Sequence, residues 1–344
     1  MREIAPVDST VAAAAAAELD RKTKPRGSLG RLESVAVQLA AIRGTLALGA
    51  LPAAVIVAAA DHGYAQEGVS AYPQSVTREM LRAFAHGGAA VSVLARTTGT
   101  RLEIADVGVV GAERHPSIRS VRVVAGTRNA TRGPAMTPEE SAAALSAGAL
   151  LAGELADDGI AVLALGEMGI GNSTAAAALA AALLPAAPSL VCGAGTGLDP
   201  TGIRRKVDAV GRALTANRID PSLPLEALAA VGGLEIAFLV GAMLAGAARQ
   251  LVLVLDGFIV AAAALVAARI APSIRGYMIA AHLSPEPGHR LLLEELELDP
   301  LLHWQLRLGE GSGATLVLPL LRQAGAILCE MATFEAAGVT DAGR

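Results

Sequence analysis

Short, almost purely apolar runs that each stop at a polar turn constrain this chain more than any other feature. Ala53 to Ala60 ends at Asp61-His62-Gly63, Leu102 to Ala105 at Asp106-Val107-Gly108, and Ile160 to Leu165 at Gly166-Glu167-Met168-Gly169; Leu251 to Leu255 ends at Asp256-Gly257, and Tyr277 to Ala281 at His282-Leu283-Ser284. A strand with one wet face alternates apolar and polar residues, whereas a strand buried on both faces does not. Most of these turns lead into alanine-rich segments suited to helix. The pattern predicts an α/β fold, a Rossmann-like parallel sheet covered by helices. In such open sheets ligands sit beyond the carboxyl ends of the strands, where the polar turns would gather.

The strand-turn pattern covers residues 46–289, read as a large α/β domain that binds nucleotide and base. Residues 1–45 and 290–344 lack it and read as helices, predicting a smaller helical domain built from both terminal segments and carrying the turn around Glu310. Thr127 to Pro138 is the most loop-like stretch.

Hydrophobic residues make up 53% of the chain, so a membrane role has to be tested. The charge-free stretch between Glu167 and Asp199 is broken by Asn172, Pro185 and Pro188, and its helix-compatible part, Thr174 to Leu184, spans only about 16 Å. Ile236 to Ala248 and Phe258 to Ala268 are equally short and read as buried helices. The amino terminus lacks the apolar region of a signal peptide, and Cys192 and Cys329 are isolated thiols that fit a reducing compartment, so a cytoplasmic location is expected. A net charge of -4 and 2% aromatic residues argue against nucleic acid as a partner.

Glu310 stands in the turn Arg307-Leu308-Gly309-Glu310-Gly311-Ser312-Gly313. Flanking glycines let backbone approach a ligand and can hold one side chain over it, which points to a catalytic base; the competing reading is an ordinary helix start capped by Ser312. Gly166 to Thr174 joins a strand to a helix, and its backbone N–H groups with the helix dipole suit an anion such as phosphate. Gly193 to Asp199 is a second glycine-rich loop towards which Lys206 can reach; both loops also read as plain tight turns. Neither is G-x-G-x-x-G nor is followed by G-K-[ST], so dinucleotide-fold and P-loop readings lack their key residues. His282, Glu286 and His289 invite a metal reading, but Pro285 and Pro287 forbid the regular helix that would align them, and no metal is expected. In Glu67 to Gln74, Tyr72 offers a face for a flat heterocycle and Ser70 or Gln74 a hydrogen bond; a surface turn fixed by Tyr72-Pro73 explains the same residues.

Taken together, Lys24-Pro25-Arg26-Gly27-Ser28-Leu29-Gly30, Asp61-His62-Gly63, Glu67 to Pro73, Gly166 to Asn172, Gly195 to Asp199, Leu255 to Phe258, Glu286 to His289 and Arg307 to Gly313 resemble the nicotinate-nucleotide:dimethylbenzimidazole phosphoribosyltransferase family, which makes the lower-ligand nucleotide of cobalamin. The blocks run in order over nearly the whole chain. The resemblance implies transfer of the phosphoribosyl group of nicotinate mononucleotide to 5,6-dimethylbenzimidazole, giving α-ribazole 5′-phosphate and nicotinate, with inversion at C1′ and neither cofactor nor metal. It implies a homodimer, with Glu310 as general base. It further places Gly169, Gly195, Lys206, Gly257, Ser284 and Arg307 around the phosphate, Glu167 and Asp256 at the ribose, and Ser70, Tyr72, Gln74 and Leu308 beside the base. Ser173 departs from the threonine usual in that turn but keeps the hydroxyl. The same chemistry on another benzimidazole, a purine or a phenol, and a non-catalytic phosphonucleotide binder, are the alternatives.

Overall fold

Each of the five apolar runs forms a strand, and the strands lie side by side in one parallel sheet. The structure, a computed structural model, describes residues 3–341. The strands are β1 (Ala53–Ala60), β2 (Arg101–Gly108), β3 (Ile118–Ser120), β4 (Val162–Met168), β5 (Val252–Leu255) and β6 (Met278–Ala280). They form a six-stranded sheet in the order β3-β2-β1-β4-β5-β6, and every pairing is parallel. All residues of β1 are buried, which requires cover on both faces. β3 was not foreseen: it is three residues long, only partly buried and at the sheet edge, so no apolar run marks it.

The alanine- and glycine-rich helices pack closely. Pro138–Asp157 lies on Leu234–Ala248, where a Cβ on Gly148 would meet the Phe238 carbonyl oxygen at 1.8 Å and one on Gly241 the Leu145 carbonyl oxygen at 1.9 Å. Neither position tolerates a side chain, which accounts for the small-residue composition. The loop-like stretch from Thr127 holds only a short turn at Ala130–Arg132 before Thr137 and Glu140 form a reciprocal cap on the helix Pro138–Asp157.

Helices Ser9–Arg21 and Arg31–Arg43 pack on each other, and Ser312–Glu330 packs on Arg31–Arg43. Their buried residues Ala15, Leu19, Leu39, Leu321 and Leu328 belong to the same continuous hydrophobic cluster as the sheet. Ser312–Glu330 is, at 19 residues, the one described helix long and apolar enough to cross a membrane; 56% of its apolar window is buried, and it lies against β1, β4 and Ala90–Thr97.

Candidate active site

The strand order reverses between β1 and β4, which opens a crevice at their carboxyl ends. The Glu310 turn docks there. The Glu310 N–H donates to the Glu167 carbonyl at 3.2 Å, and Gly166 is in such close contact that a Cβ on it would lie 2.1 Å from the Gly311 nitrogen. At the end of β5, Asp256 accepts from the backbone N–H of Gly311 (3.1 Å) and of Ala314 (3.0 Å). The carboxylate therefore satisfies the orphan donors at the start of Ser312–Glu330 and opposes that helix's dipole. Sequence reasoning set Asp256 at the ribose; here both its oxygens are committed to the Glu310 turn, it is 1% exposed, and it does not line the cavity. Ser312 is likewise not the cap: it is the first helical residue, and its hydroxyl donates to the Gly309 carbonyl at 2.7 Å.

Gly309, Glu310 and Gly311 have φ of 82°, 64° and 76°, three left-handed residues in succession. For Glu310 this costs about 1–2 kcal/mol that a glycine would not incur. The carboxylate it positions is 4% exposed, and Oε2 has no hydrogen-bond partner. Burial raises its pKa, with Asp256 adding to the rise, while the Val91 N–H, in the first turn of Ala90–Thr97, opposes it. Glu167, buried beside it, is pushed up to about 8, first by burial and then by Asp256 and Glu235, although Asn172 Nδ2 donates to its Oε2. Two neighbouring carboxyl groups thus differ in partners, and burial favours the protonated form of Glu167.

A cavity of about 110 Å³ lies beside this turn; Glu167 and Gly309 line it, whereas Glu310 sits just behind Gly309 and does not. Of the residues expected from sequence, Glu167, Gly169, Gly195, Gly257, Ser284, Arg307 and Leu308 line it. Arg307 is exposed and makes no ion pair with a described acid. Lys206 lies beneath the wall, fully buried, donating to Ser173 Oγ at 3.0 Å and to the Gly193 carbonyl at 3.3 Å. Its Nζ is 3.3 Å from where a Cβ on Gly195 would stand, and burial lowers its pKa. Glu286, weighed from sequence only as a metal ligand, instead accepts from the Gly195 N–H at 2.7 Å and faces Lys206 at 3.9 Å. His289 accepts from the Ser284 N–H at 3.0 Å.

Ser70, Tyr72 and Gln74 stand outside the cavity wall. Ser70 Oγ is 3.2 Å from Thr196 Oγ1, which lines the cavity and also accepts from the Ala71 N–H at 3.1 Å, so the two loops are tied together at the rim. Tyr72 is 55% exposed and Leu308 58%, free to meet an incoming ring; Gln74 and Thr77 hydrogen-bond Asp61 at the end of β1. His282, weighed from sequence only as a metal ligand, lines the cavity 3.6 Å from Asp256; sequence reasoning missed the buried Glu235. A lone acid in the apolar run from Val231 to Ala248 was the available signal, because a buried charge needs a partner.

Fold and site together define an α/β protein that gathers glycine-rich turns and a buried carboxylate at a topological switch point. A family model described as Phosphoribosyltransferase matches residues 4–339. The nicotinate-nucleotide–dimethylbenzimidazole phosphoribosyltransferase of Pseudomonas aeruginosa is 50% identical, over 95% of this chain and 93% of its own length; that of Desulforudis audaxviator is 46% identical, over 99% and 97%. The crystal structure of CobT from Thermus thermophilus superposes with a TM-score of 0.93 at 51% identity, over 96% of this chain and 99% of that one. The chain belongs to the nicotinate-nucleotide–dimethylbenzimidazole phosphoribosyltransferase family.

Proposed function

We propose that this enzyme transfers the phosphoribosyl group of nicotinate mononucleotide to 5,6-dimethylbenzimidazole by a single displacement, with Glu310 as general base. One ring nitrogen of the base attacks C1′ as the other loses its proton to Glu310, and the bond to nicotinate breaks, giving α-ribazole 5′-phosphate. The observation that carries the reading is the unpartnered Oε2 of a buried carboxylate in the turn whose Leu308 and Gly309 line the cavity. A binder of anionic nucleotide gains nothing from it, whereas a base acting on a weakly acidic heterocycle needs a raised proton affinity, and burial supplies that.

In this reading the phosphate lies among Gly169, Gly195, Gly257, Ser284 and Arg307, with the Lys206 ammonium behind Gly195 adding positive charge. Glu167, protonated, donates a hydrogen bond to the ribose, and Asp256 acts indirectly by holding the Glu310 turn. The base packs between Leu308 and the Ser70, Tyr72 and Gln74 loop. We also infer a homodimer, which the family resemblance supports, and a cytoplasmic setting, which two free thiols, one of them exposed, support.

Glu310→Gln tests the central claim, since it keeps shape and removes the proton acceptor. Turnover should fall by about 10²- to 10⁴-fold with nicotinate mononucleotide binding, measured by calorimetry, little changed. Activity within a few-fold of wild type would take Glu310 out of the role.

A further inference from the structure

We propose that His62, anchored by Glu235, is a positioning residue that fixes the height of the Gly169–Gly171 turn over which the nucleotide binds. His62 lies two residues past the end of β1 and Glu235 stands in the first turn of Leu234–Ala248. Both side chains are 0% exposed, and Nε2 of the ring is 2.7 Å from Glu235 Oε1. That is the ring's one polar anchor, because His62 Nδ1 has no hydrogen-bond partner. Burying a carboxylate and an imidazole away from water is costly, and two apolar residues would fill the same space without that cost.

What the pair touches identifies its role. A Cβ on Gly169 would lie 3.3 Å from both Cδ2 and Nε2 of the ring, one on Gly171 3.3 Å from the His62 Cβ, and one on Gly233 only 2.2 Å from Cε1. The imidazole, together with the Ala60 carbonyl oxygen 2.4 Å from the same Gly169 Cβ position, thus packs directly against the turn whose Gly169 lines the cavity. With a single hydrogen bond setting the ring's tilt, losing it lets the ring rotate and the turn sink or shift. The helix N-terminus stabilises the Glu235 carboxylate that holds the ring, and this carboxylate is also among the charges that keep Glu167 protonated.

The inference rests on the reading that this turn binds the nucleotide, and steady-state kinetics with both substrates separate the two. His62→Asn shortens the side chain and loses the bond to Glu235; it should raise KM for nicotinate mononucleotide by about tenfold or more and leave KM for dimethylbenzimidazole within about threefold. His62→Gln, whose amide nitrogen reaches as far as imidazole Nε2, should restore KM to within about threefold of wild type. If His62→Asn does not fold, Glu235→Met against Glu235→Gln puts the same question, since only the second keeps an acceptor. Equal changes in both KM values, no change, or indistinguishable Asn and Gln variants would overturn the proposal. Arg307→Ala is the control: if it raises KM for the nucleotide and His62→Asn does not, the positioning role alone falls, and if neither does, the nucleotide lies elsewhere.

Discussion

Glu167 departs furthest from the behaviour of its side chain in water, and pH exposes it. Its pKa rises from 4.5 to about 8 in the folded chain. A raised carboxyl pKa means that the folded state holds the proton more tightly than the unfolded state. The group's most favourable contribution is therefore complete below pH 4.5 and is lost as pH rises towards about 8. Near neutrality the loss is on the order of 3 kcal/mol. Glu167→Gln keeps an acceptor for Asn172 and cannot ionise, so it should melt higher than wild type at pH 8, with the gap closing as pH falls towards 5. A gap that is constant with pH would show that Glu167 is ionised in the native protein. None of this was legible in sequence: the glycines around Glu310 advertise that residue locally, whereas the raised pKa of Glu167 depends first on burial and then on Asp256 and Glu235, which the fold alone brings near.

The turn that carries Glu310 is held by two strands, and the grip of β5 can be released separately. Asp256→Ala leaves the buried N–H groups of Gly311 and Ala314 without acceptors, at about 1–3 kcal/mol each. The melting temperature should drop, and kcat should fall more than KM for nicotinate mononucleotide rises, because the turn moves and the nucleotide loops do not. A loss confined to that KM would return Asp256 to the ribose. Sequence located these elements well where burial writes a pattern: β1 was expected at Ala53 to Ala60, its observed extent. It located them poorly where register or cover decides. The helix expected from Ala175 begins at Asn172, inside the turn read as loop, since Asn and Ser are weak helix formers that a glycine-rich start and close packing override.

One continuous core joins the sheet to the terminal helices, so Glu310 and the glycine-rich loops of the proposed site are fixed to a common frame. In a sugar held by its phosphate and approached by a base on the Glu310 side, the departing nicotinate must leave from the opposite face. The β configuration of nicotinate mononucleotide then becomes α in the product. Retention would need a second displacement through a covalent ribosyl-enzyme, and the carboxyl nearest to hand is Glu167, which burial keeps protonated and so makes a poor nucleophile at neutral pH. Two measurements decide it: the anomeric configuration of the product by NMR, and exchange of labelled nicotinate into nicotinate mononucleotide without acceptor base. An α-nucleotide with no exchange is the expected pair of results; a β-nucleotide, or exchange in the absence of dimethylbenzimidazole, would rule out the single displacement and make Glu167 the nucleophile to test.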